Sequence, residues 1–261
     1  MTDEPFLIRE DDAGVTTLTL NRPQSRNSLS LGMLRAFRSA LAGIAADESV
    51  RVVVIAGAGP AFCAGHDLKE IRIRNFGRAY SEDLFSECTA VMLAIVRLPK
   101  PVIARVHGVA TAAGCQLVAT CDLAFAAEDA RFATPGVNIG LFCSTPMVAL
   151  SRNVSRKHAM QMLLSGGLID AEAALRIGLI NEAVPASALV VQTQAFARQL
   201  AAKSPLTLAT GKEAFYRQSE LPLAVAYAYT SEVMIRNLEA QDAQEGIGAF
   251  IEKRAPVWQG R

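Results

Sequence analysis

Apolar and polar positions fall into two kinds of pattern along the chain. Val15-Thr-Thr-Leu-Thr-Leu20 alternates and is rich in β-branched residues, which predicts a strand running into the turn Asn21-Arg-Pro23. Ser30 then has the hydroxyl to cap a helix whose apolar positions Leu31, Leu34, Phe37, Leu41 and Ile44 share one face. Val50–Ala56 reads as a buried strand ended by Gly57 and Gly59. A second amphipathic helix runs from about Ser81 to Arg97, with Leu84, Cys88, Val91 and Ile95 inward, and stops at Pro99 and Pro101. Val102–Val106 and Leu123–Ala127 read as strands, with a helix over Ala112–Thr120 between them.

Strands and helices therefore alternate to about residue 190, the pattern of an α/β sheet covered by helices. From about 187 to 253 the periodicity is helical, broken only near Ser204-Pro205 and Leu221-Pro222. The expected organisation is a core over 1–190 and a helical region over 191–261. Tyr227, Tyr229, Met234 and Phe250 give that region large apolar side chains, for a local core or for docking and oligomerisation.

Composition narrows the function classes. With 26 Lys+Arg against 25 Asp+Glu the net charge is +1, which disfavours a general nucleic-acid binder. No apolar run is long enough to span a bilayer. The N-terminus, MTDEPFLIREDD, is acidic and lacks an apolar stretch, so a cytoplasmic location is expected. Five cysteines without a CxxC pair read as free thiols, and three histidines without a metal-binding motif argue against a zinc site.

Two glycine-containing turns carry the chemistry. Gly57-Ala-Gly-Pro-Ala-Phe-Cys-Ala-Gly-His-Asp67 follows a strand, but Phe62 stands where a dinucleotide fingerprint needs its third glycine. His107-Gly108 leads into Ala112-Ala113-Gly114 at the start of a helix. Free N–H groups at two such strand-to-helix turns are the ingredients of an oxyanion hole.

The strings NRPQSRNSL (21–29), GAGPAFCAGHDLKE (57–70), PVIARVHGVATAAGCQLVATCDLAFAA (101–127), SGGLIDAEAALRIGLINEAVP (165–185) and EGIGAFIEKRAPVW (245–258) occur in order. Together they resemble the crotonase superfamily, the enoyl-CoA hydratase/isomerase family, over nearly the whole chain. FATPGVNIGLFCSTP (132–146) is a run associated with one subgroup of it. The resemblance implies an α/β spiral of ββα turns and a C-terminal helical trimerisation region, assembled as a homo-trimer or a hexamer. It implies an acyl-CoA ligand, with coenzyme A entering as substrate and not as a tightly bound cofactor, and lyase chemistry of fatty-acid type. By motif, the thioester oxygen meets the backbone N–H groups of His66 and Ala113. The CoA falls to Ser25, Arg26 and Ser28, to Ala64, His66, Asp67, Leu68 and Lys69, and to Phe250 and Lys253 reaching from a neighbouring subunit.

The pattern breaks at two positions. Where the family's hydratases carry catalytic glutamates, this chain has Gln116 and Gly136. An amide orients a water but does not exchange a proton near neutral pH, and a glycine offers only space and backbone. General acid–base catalysis contributes about 10²–10⁴-fold, so efficient hydration by the usual route is not expected, whereas thioester binding is. Other expectations are an acyl-CoA binder without catalysis, or a different thioester reaction such as decarboxylation or hydrolysis. Cys115, Asn138, Cys143 and Ser144 flank these positions, and the His66 imidazole sits on the oxyanion turn.

Overall fold

The computed structural model describes residues 4–261. Strand β1 (Leu7–Asp12) forms an antiparallel hairpin with β2 (Val15–Leu20), and from there the sheet is parallel: β3 (Val52–Gly57), β4 (Val102–Val106), β6 (Leu123–Ala127) and β9 (Glu182–Val184) follow in the order β1-β2-β3-β4-β6-β9. A second sheet holds β5 (Val109–Thr111), β7 (Arg131–Ala133) and β8 (Ile169–Asp170). Parallel bridges Leu29–His66 and Cys63–Ala110 continue the second sheet's row into the earlier passages of chain. Each passage thus contributes to both rows, β2 then Leu29, β3 then Cys63, β4 then β5, β6 then β7, and the chain climbs as a spiral.

Parallel strands covered on both faces need continuous apolar sequence. In β3, Val53 and Ile55 face the larger core with Leu34, Phe37 and Leu41 of α1 (Leu31–Ala46) and Leu84, Val91 and Ile95 of α3 (Arg78–Arg97). Val52 and Val54 face the other way, with Ile103, Phe125, and Leu189 and Ala197 of α8 (Leu189–Ala201). Ser30 caps α1 as expected, its hydroxyl accepting the Met33 N–H at 3.2 Å. Of the five expected inner positions of α1 only Leu31 is not fully buried; Met33 takes that place.

Between the sheets' ends lie α2 (Leu68–Ile73) and α4 (Ala113–Thr120), then α5 (Ser144–Asn153), α6 (Arg156–Ser165) and α7 (Ala171–Arg176). The helical tail continues from α8 as α9 (Pro205–Gln218), α10 (Leu223–Glu239) and α11 (Gln241–Glu252), with breaks at the two expected prolines. A partly buried polar cluster anchors it. The Lys212 ammonium of α9 donates to Asp122 at 2.7 Å and to the carbonyls of Ile95 and Lys100, and Tyr216 donates to the other Asp122 oxygen at 2.8 Å. Asp122 also accepts the Val102 N–H, so one carboxylate ties the tail to the start of β4. Burial pulls the Lys212 ammonium below its usual range despite that carboxylate.

Helix α4 lies directly on the second sheet's row. A Cβ on Gly114 would stand 2.1 Å from the Cys63 carbonyl oxygen, whereas one on Gly211 in α9 would meet nothing within 4 Å. Gly114→Ala is therefore expected to destabilise by more than about 3 kcal/mol, and Gly211→Ala to stabilise by about 0.5–1 kcal/mol, in chemical denaturation. Lys212→Met, which leaves Asp122 without its counter-charge, should cost about 3–5 kcal/mol in the same assay.

Candidate functional site

Three passages of chain meet at the first turn of α4. The Thr111 N–H donates to the Cys63 carbonyl at 3.0 Å, its hydroxyl to Ala64 O at 3.1 Å, and the Ala112 N–H to Ala133 O at 2.9 Å. Gly65 has φ +97°, and a Cβ there would lie 2.9 Å from Ala112 Cβ and 3.3 Å from the Ala113 nitrogen. Ala112 itself takes φ +50°, a left-handed conformation that costs an L-residue energy and marks a constrained turn. The expected turns at 65–66 and 112–113 are thus in van der Waals contact. Neither the His66 nor the Ala113 backbone N–H has a hydrogen-bond partner among the described residues. Ala113 opens α4, where the first N–H groups lack intrahelical acceptors and the helix dipole favours negative charge.

The expected CoA turn is held against this pair. Ser25 lies in a short 3-10 turn, its hydroxyl donating to Arg22 O at 3.1 Å. Arg26 has φ +51° and its carbonyl accepts the Ala64 N–H at 3.0 Å, joining the 22–28 turn to the turn at 64–66. Ser28 is buried and its carbonyl accepts from the Arg22 guanidinium. Asp67 caps α2, accepting from Lys69 N and Glu70 N at 3.1 and 3.2 Å, and pairs with Arg22 at 3.0 Å. Burial pushes the Asp67 carboxyl up, but the Glu70 amide and Arg22 outweigh it and leave the group below its ordinary value. Leu68 is exposed beside Lys69 at the start of α2. Phe250 and Lys253 are not part of this assembly: they lie at the end of α11, which packs on α9 and α10. Phe250 is 85% exposed and lines a cavity of about 450 Å³ with Met234, Leu238, Ile247 and Trp258.

Two residues of the turn escaped sequence reasoning. Asn27 is wholly buried: its Oδ1 accepts the Arg22 N–H and its Nδ2 donates to the carbonyls of Ala58 and Ala61, each at 2.8 Å. Arg22 supplies the ion pair to Asp67. Asn27 has φ +54°, a conformation asparagine tolerates better than most residues. That tolerance was the one signal within NRPQSRNSL that could have marked it.

Gln116 and Gly136, where carboxylates were expected to be missing, differ from each other in their surroundings. Gln116 is buried in α4, and its Oε1 has no partner among the described residues. Thr134, next to the Ala133 that bonds Ala112, also has a buried hydroxyl without a partner. Gly136, in a 3-10 turn over Pro135–Ile139, does not leave the expected space. A Cβ there would stand 2.6 Å from Leu141 O and 2.9 Å from Cys143 Sγ, which accepts the Gly136 N–H at 3.3 Å. The chain folds back because the Leu141 N–H bonds Gly136 O, and the space beside Gly136 is filled. Asn138 serves a turn, donating to Gly166 O, and Ser144 donates to the nearby Phe142 carbonyl. Burial raises the Cys143 thiol and pushes Cys115 up to about 12, so neither is a ready thiolate.

The His66 ring is partly buried, edge-on to Phe85 with centroids 5.3 Å apart. Its Nδ1 lies 3.4 Å from Leu29 O, and its Nε2 is sealed from solvent without a partner among the described residues. Burial lowers its pKa, with the Leu29 carbonyl opposing, so the imidazole is neutral at pH 7.

Comparison with known proteins identifies the family. The family described as enoyl-CoA hydratase/isomerase matches residues 10–261. Enoyl-CoA hydratase domain-containing protein 3, mitochondrial, of Mus musculus is 48% identical over 257 residues, covering 98% of this chain and 85% of its own length. The crystal structure of an enoyl-CoA hydratase of Mycobacterium smegmatis superposes with a TM-score of 0.95 at 55% identity, over 98% of this chain and 99% of that one. That of human enoyl Coenzyme A hydratase domain-containing protein 3 gives 0.94 at 45%, over 97% and 100%. The mouse protein and its namesakes in other vertebrates are named mitochondrial, which overturns the cytoplasmic expectation drawn from the acidic N-terminus. With a match over nearly its whole length, this chain belongs to the enoyl-CoA hydratase/isomerase family, in the crotonase superfamily.

Proposed function

We propose that the protein binds acyl-CoA thioesters and stabilises an enolate-like thioester oxygen on the backbone N–H groups of His66 and Ala113. The observation that carries this reading is the pair of unpartnered N–H groups on touching turns, at the N-terminus of α4. Each such donor is worth about 10²–10³ in rate when aimed at developing negative charge. Arg26 and Lys69 supply cations for the CoA phosphates, and Ser25, Ser28, Ala64, Asp67 and Leu68 shape the path along which the pantetheine runs. Phe250 and Lys253 contact the CoA held by another copy, in a trimer or a pair of trimers. The exposed apolar residues Phe215, Leu223, Tyr227 and Phe250 on the helical region over 191–261 support that assembly, because a water-facing patch of this kind favours docking. No coenzyme beyond the substrate's own CoA enters the reading.

Efficient hydration is not part of the proposal. Its usual route needs two carboxylates, and Gln116 and Gly136 provide none. The closed backbone around Gly136 favours a second reading, a thioester reaction that needs no carboxylate. In decarboxylation, the electron pair released with CO₂ passes into the same enolate; in plain binding, no bond changes at all.

Calorimetric titration with butanoyl-CoA is expected to give saturable binding, and absence of heat and of a thermal shift across several chain lengths would refute the reading. Crotonyl-CoA hydration by the native protein should fall at least about 100-fold below that of a two-glutamate relative. Gln116→Glu, where the buried amide has an unpartnered oxygen, should fold and raise that rate. Gly136→Glu should instead destabilise by more than about 2 kcal/mol in denaturant, because Leu141 O and Cys143 Sγ occupy its space.

A further inference from the structure

Helix α2 and the turn after it place apolar and cationic side chains in water together. The inner side of α2 is used: Glu70 accepts the Leu31 N–H at 3.1 Å and Ile71 packs against the larger core. Lys69, Arg72 and Ile73, at spacings of three and four, share the other side and are exposed. The helix ends in a closed turn. The Phe76 N–H donates to Ile71 O at 3.2 Å and the Asn75 N–H to Arg72 O at 2.9 Å, with Asn75 and Phe76 at φ +52° and +54°. An apolar residue at the place of Phe76 in such a helix end ordinarily folds back on the last turn, here on Ile71. Phe76 instead stands 70% exposed, and Ile73 of the same turn is 80% exposed. A bulky aromatic residue rarely takes a left-handed conformation, and here it does so with its ring in water.

The charge around these two side chains is positive. Arg72 and Arg74 make no ion pair among the described residues, and the Arg74 guanidinium stands 5.9 Å from the Tyr80 ring centre. Arg78 opens α3 and pairs with Glu82 at 2.7 Å, where both are exposed to water. Of the other nearby carboxylates, Asp67 is held by Arg22, Glu70 by the Leu31 N–H, and Asp83 lies in the second turn of α3. Large apolar groups flanked by arginines complement a negatively charged lipid surface. The apolar groups enter the boundary between headgroups and acyl chains, and the guanidinium groups pair with lipid phosphates. A stable contact with another protein buries about 800 Å² on each side, more than one turn offers. No helix among the described residues is long and apolar enough to cross a membrane, so the contact is with the membrane surface.

We propose that the turn over 72–78, between α2 and α3, docks on an anionic lipid bilayer. Ile73 and Phe76 enter the headgroup region, and Arg72, Arg74 and Arg78 bind lipid phosphates. Helix α2 begins two residues after His66, so a docked chain holds the 65–66 turn one short helix away from the lipid surface. The proposal stands on the surface alone and does not depend on the acyl-CoA reading.

The test is co-sedimentation of the full chain with phosphatidylcholine vesicles, with and without phosphatidylserine. Binding is expected only with the anionic lipid, and it should weaken as salt rises. Phe76→Ser, at an exposed position, should weaken it at least about ten-fold. Arg72→Gln with Arg74→Gln should weaken it about 30-fold and flatten its salt dependence. Val191→Ser, an equally exposed apolar position on α8, should bind like the native protein. A native thermal melt in each variant shows that its fold is intact, and the arginine pair carries the comparison if Phe76→Ser does not fold. No sedimentation with anionic vesicles, equal sedimentation with neutral ones, or native binding by either folded variant of the turn would overturn the proposal. Self-association that Phe76→Ser abolishes, without vesicle binding by the native protein, would overturn it too and assign the turn to a contact between copies.

Discussion

The structure depends on one close approach of backbone to backbone. At the first turn of α4, Gly114 lies so near the Cys63 carbonyl that no side chain fits, and a Cβ on Gly65 would stand 3.0 Å from the Thr111 carbonyl oxygen and 2.9 Å from Ala112 Cβ. Ala112 accepts a left-handed conformation to close the corner. These contacts fix where α4 begins relative to the two rows of the spiral. They also leave the N–H groups of His66 and Ala113, on turns in contact with each other, without an acceptor among the described residues. The strain and the unpaired donors arise together, because a helix N-terminus pressed onto a neighbouring strand cannot satisfy its own first amides.

Around that corner the chain uses neutral groups. Gln116, Thr134 and His66 each bring a buried polar atom without a partner among the described residues, and none is a carboxylate. On the side of Gly136 the backbone turns back on itself and the Cys143 sulfur takes the glycine N–H. The charge total of +1 conceals this arrangement. Acidic residues are abundant on the surface and in the Asp122 anchor, and the carboxylate next to the 65–66 turn, Asp67, is taken up by Arg22 and the first amides of α2.

Much of the scaffold was legible because its signals are local. Alternation marked β2, a capping serine with a three-and-four spacing marked α1, and continuous β-branched sequence marked β3. Strands β5, β7, β8 and β9 were not legible: two or three residues carry no periodicity, and pairing with distant passages makes them strands. Helix α2 has six residues and no buried face, so only the Asp67 cap announced it. The two glycine turns at 65–66 and 112–113, and Gln116 and Gly136 beyond them, could be picked out from motif positions. The filling of the space at Gly136 could not, since it depends on a hydrogen bond from Leu141 five residues on. Asn27 and Arg22 act through contacts across the fold, with Ala58, Ala61 and Asp67, which no spacing reveals.

The central claim is that two backbone amides on touching turns receive a thioester oxygen. A crystal structure of the protein with butanoyl-CoA tests it most directly. The account predicts the thioester oxygen within about 2.7–3.1 Å of both the His66 and Ala113 nitrogens. A thioester bound with its oxygen outside hydrogen-bond distance of either nitrogen would contradict it.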